Sequence, residues 1–422
     1  MRLARLGLEA RRDGHTDWAR ILGREREKWA DALRGCQSPR VLIATSMGVH
    51  FGATRIDGLL AVALALRGAS VEHLYCDVLL PACMAADKSW YPDLARFGRR
   101  GSRDDICKHC FSPVLEAVSP LGQPIHRMGA LVSDEEREEV ATWAEHANMS
   151  RIHELTTEGV RVGEHALSGT LRFLARGTLE PGVEPVLKAY LRAARMTQLA
   201  VSRLIAGKRF DVAVIHHGIY VPQGVIAEVV RRAGIRVVTW NPAYRKGCFI
   251  FSHDDTYHRT MLDEPMEVWE GLTLTPEQDK RLTDYLYSRR QGVHDWIAFS
   301  RRADFDFKGF ARERGIDVEK PLVGLLTNVF WDAQIHYPAN SFGSMRDWLA
   351  KTVRYFARRQ DLQLIIRAHP AEVTGALPAR ETVVSMLQED IGELPRNVFL
   401  VAADEPISTY SLLEHCCACL IY

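Results

Sequence analysis

No stretch of this sequence is long and apolar enough to read as a membrane-spanning helix. The longest apolar runs, Leu59–Leu66 and Leu322–Leu326, fall far short of the roughly 20 residues a span needs, which leaves peripheral association as the most a membrane is expected to offer. Excess charge of either sign is also lacking. With 54 Lys and Arg against 53 Asp and Glu the net charge is +1, so no global field draws nucleic acid, and a charged ligand has to be gripped locally. The first 29 residues carry Arg, Glu and Asp throughout and lack the apolar centre of a secretory signal. Cysteine is sparse: nine in 422 residues are too few for a disulfide scaffold, and the odd number argues against full pairing, which points to a reducing cytoplasm. Internal repeats and low-complexity tracts are missing as well, which sets aside solenoids and disordered linkers.

What is present is ordinary globular composition, 47% hydrophobic and 25% charged, in a chain longer than one hydrophobic core usually supports. Two domains are expected. Residues 1–35 read as a leading helix that Gly35 ends. The run Arg40–Ser46, the loop after it, a helix over Ile56–Leu66 and a strand over Val71–Tyr75 form a βαβ unit. Residues from about 90 to 205 are irregular and then helical, an insertion in this first domain. A second βαβ unit follows in Asp211–His216, Gly224–Ala233 and Arg236–Trp240. Thr275 and Pro276 open a helix that runs to Arg290. The first domain is placed at 36–300, with a polar stretch after it. The second is placed at 320–422, with strands at Leu322–Asn328, Leu362–Arg367 and Val398–Ala402 and helices at Met345–Arg358, Glu381–Ile391 and Ser408–His415. Its last run, with Cys416, Cys417 and Cys419, reads as apolar core and as a strand with no helix after it, so this domain is expected to be incomplete. The fold class is α/β, with two Rossmann-like domains.

In such sheets ligands bind beyond the carboxyl ends of strands, and four loops there carry candidate chemistry. After the first strand, Gly48 and Gly52 flank His50, and Thr54 and Arg55 open a helix whose N-terminus can accept an anion; a plain tight turn is the competing reading. After Asp211–His216 come His217 and Gly218. An imidazole there can deprotonate a sugar hydroxyl because its pKa lies near working pH, so His50 and His217 are the candidate catalytic bases; neighbouring residues on a strand point opposite ways, so one of His216 and His217 is expected to pack inward. After Leu362–Arg367, Arg367 and His369 alternate onto one face as two donors for phosphate oxygens, with Glu372 close by; the alternative is an arginine that caps carbonyls. After Leu322–Asn328, Asn328, Trp331 and Asp332 offer polar groups and a stacking face for a nucleotide. The pair Asp304 and Asp306 lies in the polar stretch and reads as solvated charge.

Cys76, Cys83, Cys107 and Cys110 form a separate set. The two-residue gap between Cys107 and Cys110 suits one turn gripping a metal, with tetrahedral zinc as the expected guest. An iron–sulfur cluster and unliganded thiols are the other readings.

The stretches LLTNVFWDAQIHY, SFGSMRDWLAKTVRYF, LIIRAHPAE and ISTYSLLEHCCACLIY resemble the second half of capsule polysaccharide biosynthesis proteins, which are GT-B glycosyltransferases. HHGIYVPQGVIAEVVRRAGIRVVTWNPAYRKGCFIFSH is similar to their acceptor-side half. The Arg-x-His-Pro element is also similar to that of the bacterial Kdo transferases for capsule and of polyglycerol-phosphate transferases. The resemblance spans about two thirds of the chain. It implies that His369 holds the phosphates of a nucleotide-sugar donor and that Ser408 and Thr409 belong to the donor site, although both also suit the cap of the following helix. It implies further that a Gly-Thr-rich loop and a glutamate helix follow the position of Tyr422.

Together these readings lead to an expected glycosyltransferase, moving a sugar from a nucleotide-activated donor to a glycan or lipid-linked glycan of the cell surface without a catalytic metal. The alternatives are transfer of an alditol phosphate, epimerisation of a sugar nucleotide, and a non-catalytic assembly protein built on a four-cysteine metal site.

Overall fold

The computed structural model describes residues 14–297, 304–336 and 341–422. The first 13 residues of the expected leading helix, part of the polar stretch between the expected domains and four residues after His336 lie outside them. The chain forms two compact units. The first takes the chain up to Phe173, Leu179–Asn241 and Ile250–Leu262; the second takes Leu174–Thr178, Pro242–Phe249 and Asp263–Tyr422.

The first unit holds a six-stranded sheet ordered β3-β2-β1-β4-β5-β6. Its strands are β1 (Arg40–Ser46), β2 (Ser70–Tyr75), β3 (Ile125–Arg127), β4 (Val212–His216), β5 (Arg236–Pro242) and β6 (Phe249–His253). Neighbours from β3 to β5 run parallel, with Val41 opposite Val71, Ile43 opposite Val214 and His216 opposite Trp240. Residues 41–46 of β1 are all buried, as a central parallel strand covered on both faces requires. One cover is the helix Phe51–Ala65. Another is the helix Gln223–Arg232, which packs in turn against the 24-residue helix Glu184–Gly207; that helix buries Ala189, Tyr190, Leu191, Ala193 and Ala194 and is therefore enclosed on nearly all sides.

The second unit holds a four-stranded sheet ordered β10-β7-β8-β9, from β7 (Leu322–Leu326), β8 (Gln363–Arg367), β9 (Val398–Val401) and β10 (Ala418–Ile421). All three pairings are parallel. Its core joins Leu325, Leu364 and Ile366 of the strands to Trp348, Leu349 and Val353 of the helix Met345–Ala357. The molecule is thus α/β with one parallel-dominated sheet and one parallel sheet. Among the described residues no helix is long and apolar enough to cross a membrane.

Several elements differ from their expected form. Among the described residues the leading segment holds two helices, Trp18–Gly23 and Arg26–Gly35, each anchored by one buried tryptophan, Trp18 and Trp29. The region read as an insertion contributes β3, too short to stand out as an apolar run, to the edge of the sheet. The helix Pro276–Arg289 starts at its Thr275 cap but belongs to the second unit, where the following Arg290 pairs with Glu414 at 2.7 Å. Asp306 caps the helix Phe307–Arg314 by accepting from Gly309 N–H, and its own N–H donates to Asp304. Cys417 and Cys419, read as core, are exposed, because β10 is an edge strand of its sheet.

One side chain closes the second unit's first helical layer. The Nδ2 group of buried Asn397 lies 2.9–3.0 Å from the carbonyls of Phe356, Arg359 and Leu362, where the helix Met345–Ala357 gives way to β8. Replacing it leaves buried acceptors unmet, at a cost of about 1–3 kcal/mol. Asn397→Ala is expected to lower the unfolding free energy of the second unit in urea by that amount and to leave the first unit's transition in place; fluorescence and circular dichroism melts followed together read both.

Candidate functional site

In the first sheet the strand order reverses between β1 and β4, and the crevice at such a reversal is where doubly wound sheets take ligands. Here it brings together the loop after β1 and the end of β4. The loop leaves β1 through Ser46 at φ 63°. It then passes Gly48, where a Cβ would lie 2.1 Å from the Cys110 carbonyl oxygen, so only glycine fits. Gly52 has open space around it and carries no such requirement. His50 follows at the N-cap of the helix Phe51–Ala65, its ring 4.8 Å from that of His216. Thr54 and Arg55 face the chain's N-terminal segment: Thr54 Oγ1 bonds His15 Nδ1 at 2.9 Å, and the Arg55 guanidinium donates to the Gly14 carbonyl.

His216 is the histidine that packs inward. Its ring lies 4.6 Å from Trp240, and its backbone N–H donates to Thr45 Oγ1 at 3.2 Å. Burial, with a smaller contribution from His50, lowers its pKa to about 3, so it is a neutral imidazole throughout the working range. His217 turns the other way in a left-handed conformation, φ 67°, against Tyr220 and His258. A left-handed histidine is strained, and two further positive φ angles, at Gly218 and Tyr220, hold the same loop. His50 therefore meets His216, and His217 belongs to a neighbouring aromatic group. The His50 ring reaches solvent, yet the protein crowded around it, and next the Arg172 guanidinium, hold its pKa below the ordinary value.

Sequence reading missed the group beneath this pair. Asp57 lies two turns into the helix that His50 caps and is fully buried; its Oδ1 accepts from Trp240 Nε1 at 3.1 Å. Burial raises its pKa to about 7 against the opposing hydrogen bonds from Thr45 and Trp240. The available signal was one acid inside RIDGLLAVALA, an otherwise apolar run. Four buried polar atoms at these strand ends have no protein hydrogen-bond partner: Asp57 Oδ2, His216 Nδ1, Gln223 Oε1 and Asn241 Nδ2. Buried polar atoms are nearly always satisfied, so these four are groups that an ordered water or a polar ligand can meet.

In the second unit the loops after β7 and β8 are tied together by Thr327, whose Oγ1 accepts from His369 N–H at 3.1 Å and donates to the Arg367 carbonyl at 3.3 Å. His369 Nδ1 accepts from Ala371 N–H at 3.0 Å, which places the ring proton on Nε2. Burial and the neighbouring Arg367 lower its pKa, so it is a neutral imidazole that donates from Nε2. In place of a second phosphate donor on the same face, Arg367 is buried and takes the carbonyl-capping role: it donates to the Ala402 and Glu405 carbonyls at 2.6 and 3.2 Å and to Thr409 Oγ1 at 3.4 Å. Glu372 is also turned inward, its Oε1 accepting from Val383 N–H at 3.0 Å at the start of the helix Val383–Asp390; burial raises its pKa to about 7. Ser408 caps the helix Thr409–Leu413, and Thr409 receives the Arg367 bond. Asn328 Oδ1 accepts from Val329 N–H. Half-buried Trp331 and Asp332 follow in the same loop, the indole N–H lacking a protein acceptor. Alternation along β8 was readable from the sequence; which of its side chains the packing had already claimed was not.

Cys76, Cys83, Cys107 and Cys110 line one small cavity in the first unit, and all four are free thiols. Among the described residues no three His, Cys, Asp or Glu side chains gather in a way that would hold a metal ion. No protein-family model and no curated protein matches this chain.

The raised pKa of Asp57 fixes a sign. Between about pH 4, where an unfolded aspartate titrates, and about pH 7, the folded chain binds the extra proton, so stability falls as pH rises through this window and levels off above it. Asp57→Asn, which keeps an acceptor for Trp240, is expected to flatten that decline, gaining on the order of 2–4 kcal/mol relative to wild type between pH 4 and pH 8. Urea melts of the first unit's transition across this range measure it.

Proposed function

We propose that the chain is a glycosyltransferase of the GT-B kind, acting on a nucleotide-activated sugar and a surface-glycan acceptor, with His50 as the general base. The observation that carries this reading is the pairing of His50 with a permanently neutral His216 at the sheet's reversal point, among buried polar atoms that lack protein partners. A neutral imidazole that reaches solvent can take the acceptor hydroxyl proton; the oxygen then bonds the anomeric carbon, and the bond from that carbon to the donor phosphate breaks, its electrons leaving with the phosphate. His216, held by Thr45 and Trp240, positions the base. Support on the donor side comes from the Arg-x-His-Pro resemblance and from the tautomer of His369, whose Nε2–H is a donor suited to a departing phosphate. Arg367 serves there by holding the β8 and β9 loops together. His217, Asn328, Asp332, Ser408 and Thr409 enter as walls and supports of the two loops.

Calorimetric titration with nucleoside mono- and diphosphates and their sugar conjugates is expected to show binding that His369→Ala weakens and His50→Gln leaves intact. In a transfer assay with the donor that binds, His50→Gln is expected to lower kcat by about 10²–10⁴-fold. Absence of binding to every nucleotide tested would sink the reading, and product analysis separates sugar transfer from transfer of an alditol phosphate.

A further inference from the structure

The four cysteines of the first unit stand on separate pieces of chain. Cys76 follows β2, Cys83 lies in the coil after it, Cys107 sits in the tight turn Ile106–His109, and Cys110 starts the helix Phe111–Val118. They ring a single enclosed cavity whose remaining wall is apolar, including Met47, Val49, Leu80 and Phe111. The centre of a water-sized sphere has about 20 Å³ in which to move there, more than one ordered water requires.

Hydrogen bonds to the sulfurs set this group apart from buried structural thiols. Gly48 N–H donates to Cys110 Sγ at 3.2 Å, and Val49 N–H donates to the same sulfur. Val78 and Leu80 N–H donate to Cys76, Ala85 N–H donates to Cys83, and Ser102 Oγ lies 3.3 Å from Cys107 Sγ. A neutral thiol is a weak acceptor, whereas donors aimed at sulfur stabilise thiolate. Donors aimed at sulfurs that ring one enclosed hole suit thiolates gathered around a cation of high charge.

We propose that Cys76, Cys83, Cys107 and Cys110 ligate an iron–sulfur cluster that clamps the loop carrying His50. The choice of a cluster over one zinc follows from spacing. A single zinc draws four sulfurs to about 2.3 Å from one point, and these side chains do not gather that way; a polynuclear core spreads its thiolates over separate irons and needs a ring of sulfurs around a hole. The clamp follows from Gly48 and Val49, which bond Cys110 and directly precede His50. The inference rests on these residues alone and stands or falls apart from the transferase reading.

The test is the metal content of the full chain purified under nitrogen, before and after reconstitution with ferrous iron and sulfide. About two to four irons and an equal amount of acid-labile sulfide per chain are expected, with broad visible absorption that bleaches on reduction. Cys107→Ala with Cys110→Ala should lose that absorption, and Cys248→Ala, altered at an exposed cysteine outside the group, should keep it. One zinc per chain without sulfide overturns the cluster, as does a reconstituted wild-type chain with no more iron than the double variant. The wild-type metal content decides the matter even if the double variant does not fold.

Discussion

Strands β1 and β4 lie side by side although Thr45 and His216, which hydrogen-bond across them, are 171 residues apart in sequence. That pairing is the constraint on which the carboxyl edge of the first sheet depends. A parallel neighbour needs a crossover connection, and here the crossover contains β2, β3 and the long buried helix Glu184–Gly207. Once β1 and β4 are adjacent, the loop after the one and the last residue of the other must meet. His50 then finds His216, and β5 on the far side of β4 supplies Trp240, which reaches back to Asp57 on the helix that His50 caps. The group closes on itself through Asp57 and Thr45, so moving any one of these side chains disturbs the setting of His50.

Much of this was legible in the sequence where it follows from local pattern. The runs RVLIATS and VAVIH read as buried parallel strands because they are apolar without alternation, and the loops after them follow directly. Thr275 with Pro276, and the stop at Gly234, mark helix ends by chemistry that acts within a few residues. The rest depends on what covers a residue, and a linear pattern does not carry that. Asp57 reads as one polar residue on a helix face until Trp240 from a distant strand is set against it. Arg367 has the position of a ligand donor, yet the β9 loop brings the Ala402 and Glu405 carbonyls to it first. Cys417 and Cys419 read as core because they are apolar and stand near Leu420; Cys419 lies on an edge strand and Cys417 directly before it, and both are exposed.

The two units solve their electrostatics differently. At the strand ends of the first unit neutrality comes from burial: His50 and His216 are both held below the ordinary histidine pKa, and Asp57 above the ordinary aspartate value. Fixed charge there is limited to groups such as Arg172 that act from nearby. In the second unit three arginines are taken up by the scaffold. Arg346 bridges Glu381, Glu389 and Asp390, Arg314 pairs with Glu405, and Arg367 is bound to carbonyls.

Such an allocation favours hydrogen bonding over ion pairing as the means of holding a ligand. A neutral donor such as His369 Nε2–H gives direction at small electrostatic cost, because it need not be desolvated as a charge. Its direction is set twice, by the Ala371 N–H on Nδ1 and by the Thr327 hydroxyl on the backbone N–H of the same residue. Arg367 contributes by keeping the β8 end rigid against the β9 loop, and it also helps to keep the imidazole neutral by its charge. A buried guanidinium can thus shape the proposed donor loop without touching a ligand, since it bears on both the geometry and the protonation state of His369.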